Sequence, residues 1–216
     1  MPSASTRTVD RALDLLAAVT ERSALTLSDA ARQTDLAPST ALRLLRSLEG
    51  AGLVTRDDDG RYRPGAQLIR LGARAFTREP LVELSGEPMR ALAEKTGESV
   101  YLAIPGAADT AVYIAIVEGT HSVRHTNWVG RTVPLDGTAV GAVLRGEVEA
   151  DSVAMIKDTV ERDVTALSAP ITVQGSPVGA LSTLVPTYRC TDELAESCRQ
   201  ALVEATAQIA DALSGR

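Results

Sequence analysis

Between Thr26 and Gly65 the chain reads TLSDAARQTDLAPSTALRLLRSLEGAGLVTRDDDGRYRPG, and almost every local stop and start signal in it constrains the backbone. Thr26 suits a helix N-cap, with Asp29 three residues on to complete the cap and Leu25 placed to staple against Ala30. That helix is short and ends near Thr34. A three- or four-residue turn follows. Pro38 then suits a first helical position, where its missing N–H would be unpaired anyway. Leu42, Leu45 and Leu48 run down one side of the second helix, widened by Ala41 and Leu44, while Ser39, Arg43, Arg46 and Gly50 fall on another side. Gly50 and Gly52 stop it. The remainder predicts two short strands around a hairpin turn at Asp59-Gly60, with Arg56, Arg61 and Arg63 along the ribbon.

Upstream, TVDRALDLLAAV (8–19) adds one more helix, with Val9, Ala12, Leu13, Leu16 and Val19 at helical spacing. Helix, helix, turn, helix, hairpin is the order of a winged helix-turn-helix. A helix of this kind fits the major groove of B-form DNA, and its N-terminal residues reach base edges. Ser39, Thr40 and Arg43 stand where such contacts are made. Arg43 suits either a guanine or a phosphate. Arg46 lies further down and suits a phosphate or a pairing with Glu49. Arg61 and Arg63 suit phosphate or minor-groove contact, which positions a protein more than it specifies a sequence.

Charge agrees with two modules. The whole chain carries -6, yet residues 1–78 hold twelve arginines against nine acids, and residues 79–216 hold ten basic groups against nineteen acids. Only six residues are aromatic, so the core must be aliphatic. Two cysteines, Cys190 and Cys198, make no disulfide framework or zinc spacing, and His121 and His125 are too few for a metal site. No signal peptide or membrane-spanning run is visible, which predicts a cytoplasmic protein. No set of nucleophile, base and orienting group is present, and the glycines match no nucleotide-binding fingerprint, so neither catalysis nor a cofactor is expected.

The second half predicts an α+β domain. GAQLIRLGARAFTRE (65–79) reads as a connecting helix whose apolar side, Leu68, Ile69, Leu71, Ala75 and Phe76, either packs on its own domain or meets a second copy. Residues 83–96 predict a helix with Met89, Leu92 and Ala93 inward. SVYLAI, TAVYIAIVEG and SAPITVQGSPVGALSTLVP predict antiparallel strands, DGTAVGAVLRG a short helix, and 192–213 a final helix. A pocket is expected between sheet and short helix, around Trp128 to Gly141. Thr138 can donate a hydrogen bond there. The backbone around Ala139 would offer N–H groups to an anion, and Arg131 would neutralise a carboxylate or simply stay solvated. Gly130, Gly137 and Gly141 serve either the pocket or only turns and close packing.

These segments resemble the IclR family of bacterial transcription regulators. The likeness runs through RALDLLAAV (11–19), residues 25–72, LAEKTGESVYLAI (92–104), VGRTVPLDGTAVGAVL (129–144) and LSAPITVQGSPVGALSTLVP (167–186). It implies a winged helix-turn-helix in 1–64, a linker helix in 65–79, and a GAF-like effector-binding and oligomerisation domain in 80–216. It also implies a homodimer or tetramer on palindromic double-stranded operator DNA, repressing or activating genes, with a small and often carboxylate-bearing effector. By position it puts Ser39, Thr40 and Arg43 on the DNA-facing end of the recognition helix and Arg61 in the wing. It implies an effector site at Trp128, Gly130, Arg131, Asp136, Thr138, Ala139 and Gly141. Two departures stand out. Members commonly carry PLHxTAxGK where this chain has PLDGTAVGA, so Asp136 would sit as an acid at the pocket mouth and Ala142 replaces Lys. The segment 147–162 is also shorter than the family's, which leaves either an unusual effector or a ligand-independent dimerisation or protein-interaction module.

Overall fold

The computed structural model describes residues 6–22, 24–123 and 127–215. His125 lies outside them. The chain divides into two compact units, Met1–Arg78 and Glu79–Arg216.

The first unit holds α1 (Arg7–Thr20), α2 (Leu27–Gln33), α3 (Pro38–Gly50), β1 (Val54–Arg56), β2 (Tyr62–Pro64) and α4 (Ala66–Phe76). The Thr26 hydroxyl accepts the Asp29 amide at 3.1 Å and donates to its carboxylate at 2.7 Å, while Leu25 and Ala30 are buried together. At the end of α3 the Leu53 amide donates to Leu48 and the Gly52 amide to Glu49, with Gly52 at φ +70°. This is a Schellman stop, and it needs that positive φ.

Three expectations shift. The side of α3 that packs is Ala41, Leu44, Leu45 and Leu48; Leu42 is only half-buried. A strict interval of three drifts around a helix of 3.6 residues per turn, and the buried side follows the mixed three-and-four spacing. In α1 the buried residues are Leu15, Ala18 and Val19, whereas Val9 and Leu13 are 52% and 56% exposed. In the wing, the Gly60 amide donates to Asp57, so Asp58-Asp59 form the centre of the turn. Gly60 follows at φ +77°, the place of a bulge glycine rather than of a central turn residue. A further element was hidden from sequence periodicity. Leu25 exchanges both backbone hydrogen bonds with Tyr62, at 2.9 and 2.8 Å, so the wing is tied to the residue that leads into α2.

None of the α4 residues is buried in this unit. Its start is nonetheless anchored: the Gly65 amide donates to Leu53 and the Gln67 amide to the Gly52 carbonyl. A Cβ at Gly65 would fall onto that same carbonyl, so the close approach requires glycine.

The second unit holds α5 (Pro80–Thr96), β3 (Val100–Pro105), β4 (Thr110–Val117), β5 (Thr132–Pro134), α6 (Ala139–Leu144), β6 (Ala154–Lys157), β7 (Val164–Val173), β8 (Ser176–Pro186) and α7 (Asp192–Ser214). The six strands form one antiparallel sheet in the order β5-β4-β3-β8-β7-β6. Alternation along β3 assigns its two faces. Val100 and Leu102 join a core with Met89 and Leu92 of α5 and Cys198, Leu202 and Ile209 of α7. Tyr101 and Ala103 join a second core with Tyr113, Trp128, Val140 and Val143. The helix expected at 83–96 starts a turn earlier, where Pro80 is the first helical residue and Glu79 caps the Leu81 amide; it continues through Pro88. The strand β6 lies inside the short 147–162 segment and was not anticipated. Three of its four residues are only partly buried and Lys157 is exposed, too weak an alternation to register.

Among the described residues, no helix is long and apolar enough to cross a membrane.

Candidate functional site

On α3, Ser39, Arg43 and Arg46 are exposed and lie opposite Ala41, Leu45 and Leu48, while Thr40 is half-buried. Spacings of four and three put the exposed trio on one side of the helix. The buried leucines hold that side at a fixed angle on the first unit's core. Gln33 Nε2 to Glu21 Oε2 at 2.8 Å adds a tie between α2 and α1.

The wing arginines differ from one another. Arg63 Nε lies 2.9 Å from Asp57 Oδ2, and the other oxygen of that carboxylate accepts the Arg61 amide at 2.8 Å. Both hydrogen bonds hold the Asp57 carboxyl below its ordinary range, the backbone bond from Arg61 most strongly and the Arg63 side chain next. Arg61 reaches Asp59 only at 4.0 Å and stays half-exposed. Arg56 donates to the Gly60 carbonyl at 3.1 Å and stands over the Tyr62 ring. Arg63 and Arg56 are therefore partly committed to shaping the wing, and Arg61 is held more loosely.

In the second unit a narrow crevice, partly open to solvent, lies between the sheet, α6 and residues 159–161. Trp128, Thr138 and Ala139 line it, joined by Tyr113, Glu161 and Ser168, which sequence patterns did not single out. Tyr113 packs at 6.0 Å from Trp128 and at 5.3 Å from Tyr101, ring centre to ring centre. Burial pushes the Tyr113 phenol up to about 12 and raises Tyr101 as well. Ser168, which lines the crevice, shares a buried hydrogen bond of 2.7 Å with Ser182.

The other expected residues stand elsewhere. Gly130 is an exposed turn residue at φ +84°. Arg131 stacks over Trp128 at 5.7 Å and lines a neighbouring shallow crevice. Asp136 does not stand at the crevice mouth: its side chain is 93% exposed, 3.7 Å from Arg145. Gly141 is buried where a Cβ would fall inside the Leu135 carbonyl group, so close packing alone demands glycine. Thr138 is spent on capping α6 and tying it to the preceding loop: its one hydroxyl proton is shared between the Pro134 and Leu135 carbonyls, and its oxygen accepts the Gly141 amide at 3.1 Å. Missing Tyr113 and Ser168 is understandable, because both sit in strands whose alternation reads only as core.

Comparison with known families decides the identity of this arrangement. Residues 8–58 match the IclR helix-turn-helix domain, and residues 73–154 match the bacterial transcriptional regulator IclR C-terminal domain. The chain belongs to the IclR family. It is a DNA-binding transcription regulator of the IclR type, and members of that family are not enzymes.

Among IclR relatives, BhcR of Paracoccus denitrificans is 27% identical over 251 residues, covering 99% of this chain and 90% of BhcR. KdgR of Escherichia coli is 28% identical, covering 78% of this chain and 66% of its own length. The chain spans about half of the glycerol operon regulatory protein of Streptomyces coelicolor, 47% of its length at 36% identity and 56% coverage of this chain. The BhcR alignment runs longer than the 216 residues of this chain, so the relative carries additional residues. An IclR regulator from Alicyclobacillus acidocaldarius has the same fold, with TM-score 0.82 at 23% identity over 98% of this chain and 100% of that one. An IclR homolog from Microbacterium hydrocarbonoxydans, solved with 4-hydroxybenzoate, gives TM-score 0.80 at 20% identity over 97% and 100%.

Proposed function

We propose that this IclR regulator binds a palindromic operator as a homodimer and is controlled by a small molecule in the crevice of a GAF-like second unit. Ser39, Thr40 and Arg43 read base edges, Arg46 and Arg61 meet phosphates, and Arg63 mainly holds the wing. The observation that carries the DNA half is the exposed Ser39–Arg43–Arg46 side of α3 set against its buried leucines. Two exposed apolar sides support pairing of copies through the first unit: Val9 and Leu13 on α1, and Ile69 and Phe76 on α4. Footprinting on the DNA upstream of the protein's own gene tests this half; absence of any protected palindrome at moderate salt overturns it.

The effector half is supported by the crevice bounded by Tyr113, Trp128, Thr138 and Ser168. A homolog of the same fold holds 4-hydroxybenzoate in its crystal structure. A ligand that binds only the native state raises the melting temperature. A second reading is favoured by the short 147–162 segment, which contributes only β6 and the loops on either side of it. On that reading the second unit serves assembly alone, and no small molecule shifts the melting temperature.

A further inference from the structure

We propose that the narrow crevice and the shallow one beside it are two halves of a single binding site, and that the tip of the β6–β7 hairpin, residues 159–162, is the gate between them. This rests on the reading of the crevice as the effector site. The inner half encloses only about 30 Å³, room for about one or two waters, so a metabolite cannot enter while the walls stand as they are. The outer half is open to solvent and holds about 280 Å³ beside Arg131, Thr132 and Val133. Three residues line both halves: Trp128, Val160 and Glu161. They form the partition. Moving Val160 and Glu161 aside joins the halves into one space, close to the lower end of the ~300–1,000 Å³ of small-molecule pockets. A ligand that fills it has a slender apolar end against Tyr113, Val140 and Leu184 and a polar end beside Arg131 and Thr132.

The partition has one fixed side and one hinged side. Trp128 is buried and packs on Tyr113, and Gly141 seats α6 against the Leu135 backbone. The tip is held differently. Residues 158–163 are all exposed, although three of them form crevice wall. Among the described residues, Thr159, Val160 and Arg162 make no hydrogen bond. The bonds gather at the base, where the Asp158 amide donates to the Val164 carbonyl at 3.0 Å and the Asp163 amide to Asp158 Oδ1 at 2.8 Å. Asp158 and Asp163 stand there at φ +57° and +60°. Two residues in a sparsely populated backbone region, one at each end of a short exposed arm, are placed as hinges, because changes at those two positions move the arm as a unit.

Trp128 is the only tryptophan in the chain, so its emission reports on the partition. Acrylamide quenching of that emission in the full chain follows opening without any ligand. Asp158 lines neither half, so Asp158→Ala loosens the base and leaves every wall side chain in place. It is expected to raise the quenching constant at least twofold, whereas Asp158→Asn, which keeps an acceptor and tolerates the positive φ, should quench like the unaltered chain. Unchanged quenching in a folded Asp158→Ala variant overturns the gate. A second measurement needs no hinge variant. Benzoate, benzyl alcohol and benzylamine, one ring with three different charges, are mixed rapidly with the full chain and followed by Trp128 emission. The binding rate should level off with ligand concentration, because opening comes first, and should rise linearly in Val160→Gly. A linear rise in the unaltered chain overturns the gate and leaves the crevice as an effector site. No change in emission or melting temperature with any of the three, in the unaltered chain or in Val160→Gly, overturns the effector reading itself, and the joined site with it.

Discussion

Arg63 is bonded to Asp57 across the base of the wing, Nε to Oδ2 at 2.9 Å, while Oδ1 of the same carboxylate takes the Arg61 amide at 2.8 Å. One aspartate thus shapes the turn and occupies one of the wing's arginines. Its folded pKa is depressed below the ordinary 3.8. The contribution to wing order is therefore complete above about 3.8 and is lost as pH falls through the lower folded value. The Arg61 amide resonance should titrate in that acid range in the native protein. In Asp57→Asn the same resonance should be flat with pH; an identical titration in the variant would assign it to another carboxylate.

The same bond ranks the arginines for DNA. Arg43→Ala is expected to cost about 1–3 kcal/mol on the preferred site and to relax sequence preference. Arg61→Ala should weaken binding uniformly and lower the salt slope by about 1. Arg63→Ala should do less than Arg61→Ala, because Asp57 already offsets its charge. Binding isotherms over a salt series, on specific and scrambled duplexes, separate the three. A larger loss for Arg63 than for Arg61 contradicts this order.

Leu42 and Leu45 lie three residues apart on α3 and have different fates. Leu45 is fully buried and Leu42 only half so. Leu45→Ala should destabilise the first unit by about 2–5 kcal/mol, and Leu42→Ala by clearly less. Urea denaturation followed through helix signal gives both values, and equal losses would return the packing side to Leu42.

Glu98 is completely buried and forks onto Arg189, with Nε to Oε1 at 2.7 Å and Nη2 to Oε2 at 2.8 Å. The side-chain bond to Glu98 is also the main reason the Arg189 guanidinium is raised. Arg189→Ala strands a buried carboxylate, with His121 at 3.6 Å as a weaker substitute. The expected loss is about 3–5 kcal/mol in the second unit. Arg189→Ala combined with Glu98→Gln should recover part of it, since no charge is then left uncompensated. A double variant no better than the single one would show that packing, not charge, sets the cost.

Much of the first unit was legible because local rules and tertiary demands agree there. Thr26 caps, Pro38 starts and Gly52 stops the helices as their chemistry requires. The Leu25–Tyr62 bridge was not legible, since two residues thirty-seven positions apart leave no periodic signal. The crevice was legible only in part. Trp128, Thr138 and Ala139 line it, while Asp136 and Gly141, adjacent in the same stretch, face solvent and the Leu135 backbone. One short loop and one short helix turn successive side chains in unrelated directions, so proximity in sequence carried no information about the wall.

By itself the sequence determined the helix-turn-helix, the wing and the strand pairs, because capping, turn chemistry and alternation act over a few residues, and the likeness of its segments to IclR regulators pointed to the family. Tertiary structure alone decided which arginines stay available, which glycines only make room, and which side chains meet across the crevice. Tyr113 and Ser168 are interior strand residues in any reading of the sequence. They become neighbours of Trp128 and Glu161 only when the sheet and the short helix close over one another. Their chemistry depends on that enclosure, where burial raises the Tyr113 phenol and leaves the Ser168 hydroxyl to pair with Ser182.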